Sequence, residues 1–405
     1  MPTIKHGIYQ GIKTTVIEDK QQIMSSASLW FARGYALDDT DAQGLSHFFE
    51  HLWAGGDDEY TKAKILEEYG IKANAYTTAY LTYYYHVQEL DNLLSSLQLL
   101  LNNFDQEPVS RDKFEKEKNI IAQEKVNDQD NIYKIFTDTL YANTPLAYDV
   151  FGNLETITYE QYIDYAKKHY TKNQAHLLII TPDIKEIILD SEVNGIDPFV
   201  SIGFLESVKS SNRLLPTSDN TVEVLFGYAI PNTINLRTST TLSILRTALA
   251  NFWTSVLLQE LRIKNNLVYW IDSYSTVHPN SIDIQFQYKI EKEKLIESLQ
   301  IIYNSINNLA SLITPQDIER YKTIYISDAK TQDGSIYEIQ SFYGLQLPYN
   351  DGIHITLEDF YKDIRAISYE EVIALAKQFL SSHIKSLVIK GNLSEEEWGE
   401  AQKYI

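Results

Sequence analysis

Residues 157–170 read ITYEQYIDYAKKHY, and residues 367–380 read ISYEEVIALAKQFL. The two stretches align without a gap at an offset of 210 residues. Each carries helical spacing, and each is followed by an apolar, β-rich run: HLLIIT at 176–181 and SLVIKG at 386–391. The same order of turn, helix and strand, recurring half a chain apart, predicts a duplicated unit.

Between the copies lies LESVKSSNRLLPTSDNTVE, residues 205–223, which is rich in Ser, Asn, Asp and Pro and lacks a clear period. It reads as a linker. A boundary near 215 divides the chain into residues 1–212 and 213–405. Within the first half, 27–36 and 74–88 carry the β-branched and aromatic enrichment of strands, and 90–104, 112–126 and 159–169 carry helical spacing. Regular strand–helix alternation is missing from both halves. The expected fold class is therefore α+β: two homologous domains, each a mixed, mainly antiparallel sheet packed with helices.

At 405 residues the chain is long enough for two cores, and its 44% hydrophobic and 22% charged content is that of a folded protein. There are no cysteines, so a metal has only His and carboxylate ligands to draw on. The formal charge of −20 argues against a nucleic-acid partner, which needs clustered Lys and Arg. The first residues show no basic patch with an apolar run behind it, and no stretch of about 18 apolar residues occurs. The expectation is a cytoplasmic protein without a membrane partner.

Residues 44–54 read GLSHFFEHLWA. Leu45, Phe48, Phe49, Leu52 and Trp53 form one apolar helical face, and His47, Glu50 and His51 lie opposite it. Histidines at i and i+4 stand one turn apart and can share a cation, with Glu50 close enough to polarise its water. On spacing alone, a metal site and a solvated polar face fit equally well. A zinc site of this kind needs a third ligand from another element. The segment 111–126, RDKFEKEKNIIAQEKV, offers Glu117 and Glu124, two turns apart on one face, with Phe114, Ile120, Ile121 and Val126 available for packing. By composition these glutamates read as surface residues.

The stretch Gly44-Leu-Ser-His47-Phe-Phe-Glu50-His51 is an H-x-x-E-H motif, and it resembles that of the M16 (pitrilysin-type) metallopeptidases. Further motifs extend the resemblance over most of the chain: Glu117 and Glu124; Asn74-Ala75-Tyr76-Thr77 with Thr82-Tyr83-Tyr84; and Leu258-Gln259-Glu260-Leu261-Arg262 with Leu267-Val268-Tyr269. The resemblance implies a LuxS/metallohydrolase-like fold and one zinc ion per chain, bound by His47, His51 and Glu124. It implies Glu50 as general base and Glu117 as a supporting carboxylate. It also implies that Asn74, Ala75 and Tyr76 lie on an edge strand that pairs with substrate, and that Arg262 and Tyr269 assist from the second half. Two places depart from the family pattern. A Gly-rich stretch ending in Ser-Arg is replaced by Ala-Asn-Phe-Trp253-Thr-Ser255-Val, and a Gly-Asp pair by Thr181-Pro182-Asp183.

The family closes a chamber from four such domains, so the resemblance implies two clasped chains. A homodimer is expected because the zinc motif and the Arg–Tyr pair are both intact; a heterodimer with a related chain is the other arrangement. The implied activity is zinc-dependent endopeptidase cleavage of short or unfolded peptides. The alternative is a non-catalytic, peptide-binding or structural subunit, disfavoured because the ligand set is complete.

Overall fold

Thr158 and Ser368 start the two repeated helices in the same way. The Thr158 hydroxyl accepts from the Gln161 backbone, and the Gln161 side chain accepts from the Thr158 N–H. Ser368 and Glu371 repeat that exchange at the head of helix Tyr369–Leu380. Each box satisfies two backbone donors that a helix N-terminus otherwise leaves bare. A buried strand follows each helix.

The computed structural model describes residues 2–185, 187–192, 208–232, 235–332, 334–347 and 355–405. Seven of its strands form the first sheet: β1 (Thr3–Tyr9), β2 (Ile12–Glu18), β3 (Ser25–Phe31), β4 (Lys72–Thr77), β5 (Thr82–Gln88), β6 (Ala175–Thr181) and β7 (Ser191–Glu192), in the order β4-β5-β3-β6-β2-β1-β7. Five more form the second: β8 (Arg213–Pro216), β9 (Thr221–Pro231), β10 (Ile271–His278), β11 (Ser281–Glu291) and β12 (Ile384–Gly391), in the order β10-β11-β9-β12-β8. In each sheet the strand after the repeated helix makes a parallel pair, β6 with β2 and β12 with β8; the other described pairs are antiparallel. The expected α+β class with duplicated, mainly antiparallel sheets is what the chain forms.

The described residues pack as two compact units, each drawn from separated stretches. The first takes residues within 1–129, 148–200 and 331–356; the second takes those within 130–147, 201–330 and 357–405. In the first unit, helix Ile336–Gly344 packs against β3 and β6. In the second, helix Ile132–Leu140 packs against β9 and β12. So each sheet is covered on one side by a helix that comes from the other half of the sequence. Gly344 is required there: a Cβ at that position would run into the Trp30 indole, which is fully buried and stacked on Tyr83 at 4.0 Å. The repeat at 157–170 and 367–380 carries no mark of this exchange.

Several elements differ from expectation. The strand read over 27–36 stops at Phe31, and Tyr35–Leu37 is a short 3-10 turn held by Tyr35 N–H to Thr78 O. The run 74–88 is a hairpin, broken where the Thr78 hydroxyl accepts from the backbones of Tyr80 and Leu81. Within 90–104 the α-helix proper is Leu93–Leu101, flanked by 3-10 turns. Of the stretch read as a linker, 205–207 lie outside the described residues, whereas Arg213–Pro216 is β8 and Thr221 begins β9. Apolar Leu214 and Leu215 pair with β12 there, which outweighs the turn-rich composition. On helix Arg111–Asp128, Phe114 and Ile121 are buried as expected, but Ile120 and Val126 point outward and are 45% and 61% exposed.

In the second unit, Arg237 on helix Leu236–Leu249 donates from two nitrogens to the two Glu371 oxygens, each at 2.7 Å. This fork ties that helix to the capping box of Tyr369–Leu380. It holds the Glu371 carboxyl down to about 2, the Arg237 hydrogen bonds being the main cause. A depressed carboxylate contributes stability above its unfolded value and loses it as pH falls. Glu371→Gln should therefore lower the urea midpoint at neutral pH. The gap to the parent protein should hold down to about pH 4.5 and then close progressively toward pH 2. A gap independent of pH would mean that the carboxylate charge contributes nothing.

Candidate metal centre

Helix Leu45–Gly55 is held at its N-terminus from a distance. Its cap residue, Gly44, has no side chain to offer and sits at φ 94°. A Cβ there would meet the Phe151 carbonyl at 2.7 Å, so this place in the motif accepts only glycine. Asp38 supplies the missing acceptor. Its Oδ2 accepts from Gly44 N at 2.9 Å, Ser46 N at 3.3 Å and Ser46 Oγ at 3.1 Å, and its Oδ1 accepts from the Tyr165 hydroxyl at 2.7 Å. Burial pushes the Asp38 carboxyl up to about 6, against the pull of those donors. The apolar face of the helix is buried as its spacing predicts, with Leu45, Phe48, Phe49 and Leu52 at most 1% exposed. That burial fixes the rotation of the helix, and with it the direction of His47, Glu50 and His51.

Helix Arg111–Asp128 packs against it, Phe114 stacking on Phe48 at 5.3 Å. This brings both of its glutamates to the histidines. His47 Nε2 and His51 Nε2 lie 3.3 Å apart, and Glu124 Oε2 lies 3.8 Å from the first and 3.5 Å from the second. The three residues offer ligand atoms within 4.8 Å of one another. Tetrahedral zinc with bonds of about 2.0–2.1 Å spaces its ligand atoms roughly 3.3–3.4 Å apart. The observed spacings fit that cradle closely. Burial, followed by the neighbouring His51 charge, lowers His47 to about 3, so its imidazole is neutral near pH 7, the form a metal requires.

Glu117 acts one step back. Its Oε1 is 2.9 Å from His51 Nδ1, and its Oε2 is 3.1 Å from Lys113 Nζ. The carboxylate draws a proton to Nδ1 and leaves Nε2 as the lone-pair nitrogen facing the cradle. The His51 bond, and then Lys113, hold Glu117 below its ordinary value. For His51, burial works downward, but the Glu117, Glu124 and Glu50 carboxylates outweigh it and raise the imidazole. Glu50 is half-buried, with Thr77 of β4 beside it. Burial raises it, and hydrogen bonding from Thr77 and the His51 charge pull it back.

β4, which carries Asn74, Ala75 and Tyr76, is the outermost strand of its sheet and pairs with β5 alone among the described strands. Asn74, Tyr76, Tyr83 and Tyr85 share one face, with Tyr76 over Tyr83 at 5.5 Å. Ala75 and Tyr84 share the other, where the Tyr84 hydroxyl donates to Phe49 O on the histidine helix. Arg262 and Tyr269 belong to the second unit and meet each other: the guanidinium carbon lies 4.6 Å from the Tyr269 ring centre. The sequence reading missed Asp38 and Lys113, and it named Thr77 in the edge-strand motif without giving it a role beside Glu50. Lys113 has a legible signal, its i,i+4 spacing to Glu117. Asp38 has none, since loop geometry brings it to the helix.

A family model described as Insulinase (Peptidase family M16) matches residues 13–154, and one described as Peptidase M16 inactive domain matches 156–325. Together they span well over half of the sequence. The chain belongs to peptidase family M16. Among M16 relatives, an uncharacterized zinc protease of Rickettsia bellii is 24% identical over 89% of this chain and 90% of its own length. The beta subunit of the human mitochondrial-processing peptidase is 20% identical over 93% of this chain and 82% of that one. A protease from Helicobacter pylori has a similar fold, with a TM-score of 0.80 at 17% identity over 96% of this chain and all of that one.

Two substitutions test how the M16 helix is held. Asp38→Ala strands several buried donors and should cost about 2–4 kcal/mol of stability, read as a fall in urea midpoint; an unchanged midpoint would mean that Asp38 is not the cap. Glu117→Gln should keep the fold and weaken zinc affinity about 10–100-fold in a competition titration with a chelator. Unchanged affinity would show that His51 needs no orienting carboxylate.

Proposed function

We propose that this chain is a zinc-dependent endopeptidase acting on short or unfolded peptides. The observation that carries the reading is the convergence of His47 Nε2, His51 Nε2 and Glu124 Oε2 at spacings of 3.3–3.8 Å, with Glu50 on the same helix. Membership of M16 and the zinc-protease names of its relatives support it.

His47, His51 and Glu124 would hold one zinc ion per chain. Bound there, zinc supplies Lewis-acid chemistry, acidifying water and polarising a carbonyl. Glu50 would take a proton from the attacking water at its carboxylate and pass it to the leaving amine. Burial, which pushes the Glu50 carboxyl upward, favours this exchange, because it makes the carboxylate a stronger base that takes and holds the proton nearer neutrality than an ordinary one does. Glu117 keeps His51 in the tautomer that presents Nε2. The edge of β4 that no described strand pairs with, carrying Asn74, Ala75 and Tyr76, receives the substrate main chain as an added strand. Arg262 and Tyr269 donate hydrogen bonds to substrate carbonyl oxygens.

The two halves, 1–212 and 213–405, act as the zinc half and the supporting half. Two chains clasp into a chamber that excludes folded proteins, as a homodimer because one chain carries both sets of residues; light scattering that found a monomer at working concentration would contradict this. The acidic chain, with 55 acidic and 35 basic residues, suits peptide and not nucleic acid. Among the described residues no helix is long and apolar enough to cross a membrane. A cytoplasmic location fits the absence of cysteine.

Purified protein should contain zinc and cleave a quenched fluorescent, unstructured peptide. Glu50→Gln should retain the zinc and lose about 10²–10⁴-fold in kcat. Cleavage by Glu50→Gln at the parent rate would remove Glu50 from its role, and a parent protein that takes up zinc but cleaves no peptide would favour the non-catalytic subunit.

A further inference from the structure

Trp253 lies in the loop that precedes the Arg262 turn, and the structure gives it a partner. The Arg262 guanidinium carbon lies 4.6 Å from the Trp253 ring centre and 4.6 Å from that of Tyr269. The cation is thus in contact with two aromatic rings. Both rings are open to solvent, Trp253 at 62% and Tyr269 at 78% exposure, so neither is there to fill a core.

The backbone around Trp253 is pinned on every side. Asn251 sits at φ 83°, and its side-chain oxygen accepts from Ser273 N at 2.6 Å. The buried Ser255 hydroxyl donates to Thr247 O at 2.6 Å and accepts from Phe252 N at 3.1 Å. The Trp253 carbonyl accepts from Gln259 Nε2, and the Thr254 carbonyl accepts from the Tyr321 hydroxyl at 2.8 Å. Arg262 itself lies in a π-helical turn, Gln259–Lys264, a local widening that recurs at functional sites. A rigid loop presents an exposed indole, and a widened turn presents a guanidinium to it. No ion pair holds Arg262 among the described residues, whereas its neighbour Lys264 is paired with Glu260 at 2.6 Å.

We propose that Trp253 is a positioning residue for peptide binding. It clamps the Arg262 guanidinium against Tyr269, so that the N–H edge of Arg262, and not its faces, meets the main-chain carbonyls of a bound peptide. Stacking restricts the rotamers of a long side chain before the peptide arrives, which lowers the entropy lost on binding. An exposed cation–π contact is a modest interaction, so the effect on affinity is modest and specific to aromatic character. This inference rests on the peptide-binding role assigned above to Arg262.

The test uses the full chain in the Glu50→Gln background and a fluorescein-labelled, unstructured peptide, with affinity read by anisotropy. Trp253→Leu should raise Kd about three- to tenfold at unchanged thermal midpoint and zinc content, and Trp253→Phe should restore most of the affinity. With Arg262→Gln also present, Trp253→Leu should have no further effect, because the residue acts only through the cation. The inference is overturned if Trp253→Leu binds like its parent, if Phe does no better than Leu, or if the Leu effect persists undiminished beside Arg262→Gln. The peptidase reading is tested separately by cleavage in the protein that retains Glu50. Loss of that activity with Trp253-dependent binding intact would remove catalysis and leave the clamp; no binding by the parent would remove both.

Discussion

Two imidazole nitrogens and a carboxylate oxygen brought within 3.3–3.8 Å of one another make the constraint on which the remaining features of the first unit depend. Left to solvent, such side chains spread apart, since ordering them costs rotamer entropy and gains little. They stay together because the two helices that carry them are fixed from behind. Phe48 stacks on Phe114, Asp38 ties the head of one helix, and Glu117 reaches across to His51 from the other. The apolar faces set the rotation, and the polar contacts set the tautomer. A cation would make the arrangement favourable as it stands, and the spacings and donor types are those that zinc takes.

How much of this was legible in the sequence can be judged residue by residue. The histidine helix was legible because one short motif carried both the apolar stripe and the ligand spacing. Helix Tyr159–His169 and its partner Tyr369–Leu380 were legible because the same motif occurs twice. Glu117 and Glu124 were singled out, but in a Lys- and Glu-rich helix only packing distinguishes them from Glu115. Ile120 and Val126 show the converse: apolar letters at helical positions that turn out exposed. Asp38 was not legible at all, because a cap supplied from six residues upstream has no fixed spacing. Nor was the exchange of helices Ile132–Leu140 and Ile336–Gly344, since their apolar faces say that something is covered but not by which sheet.

The duplication also explains an asymmetry. Both halves keep the capped helix, the following strand and the parallel pair, the parts that build a sheet with a covered face. Among the described residues, a cluster of two histidines and a glutamate that could hold a metal occurs only in the first unit, with Glu117 behind it. The second has specialised differently, with Trp253, Arg262 and Tyr269 gathered at its surface and a fork from Arg237 to Glu371 inside. One scaffold thus carries a cluster suited to a metal in one copy and a cation with aromatic surface in the other, as expected where function resides in sites grafted onto a fold.

The most direct measurement is anomalous diffraction at the zinc edge from crystals of the purified protein. The account predicts one peak in the first unit, within about 2.0–2.2 Å of His47 Nε2, His51 Nε2 and a Glu124 oxygen, with Glu50 outside the coordination sphere. A peak at another set of residues, or none in crystals grown with zinc present, would contradict it.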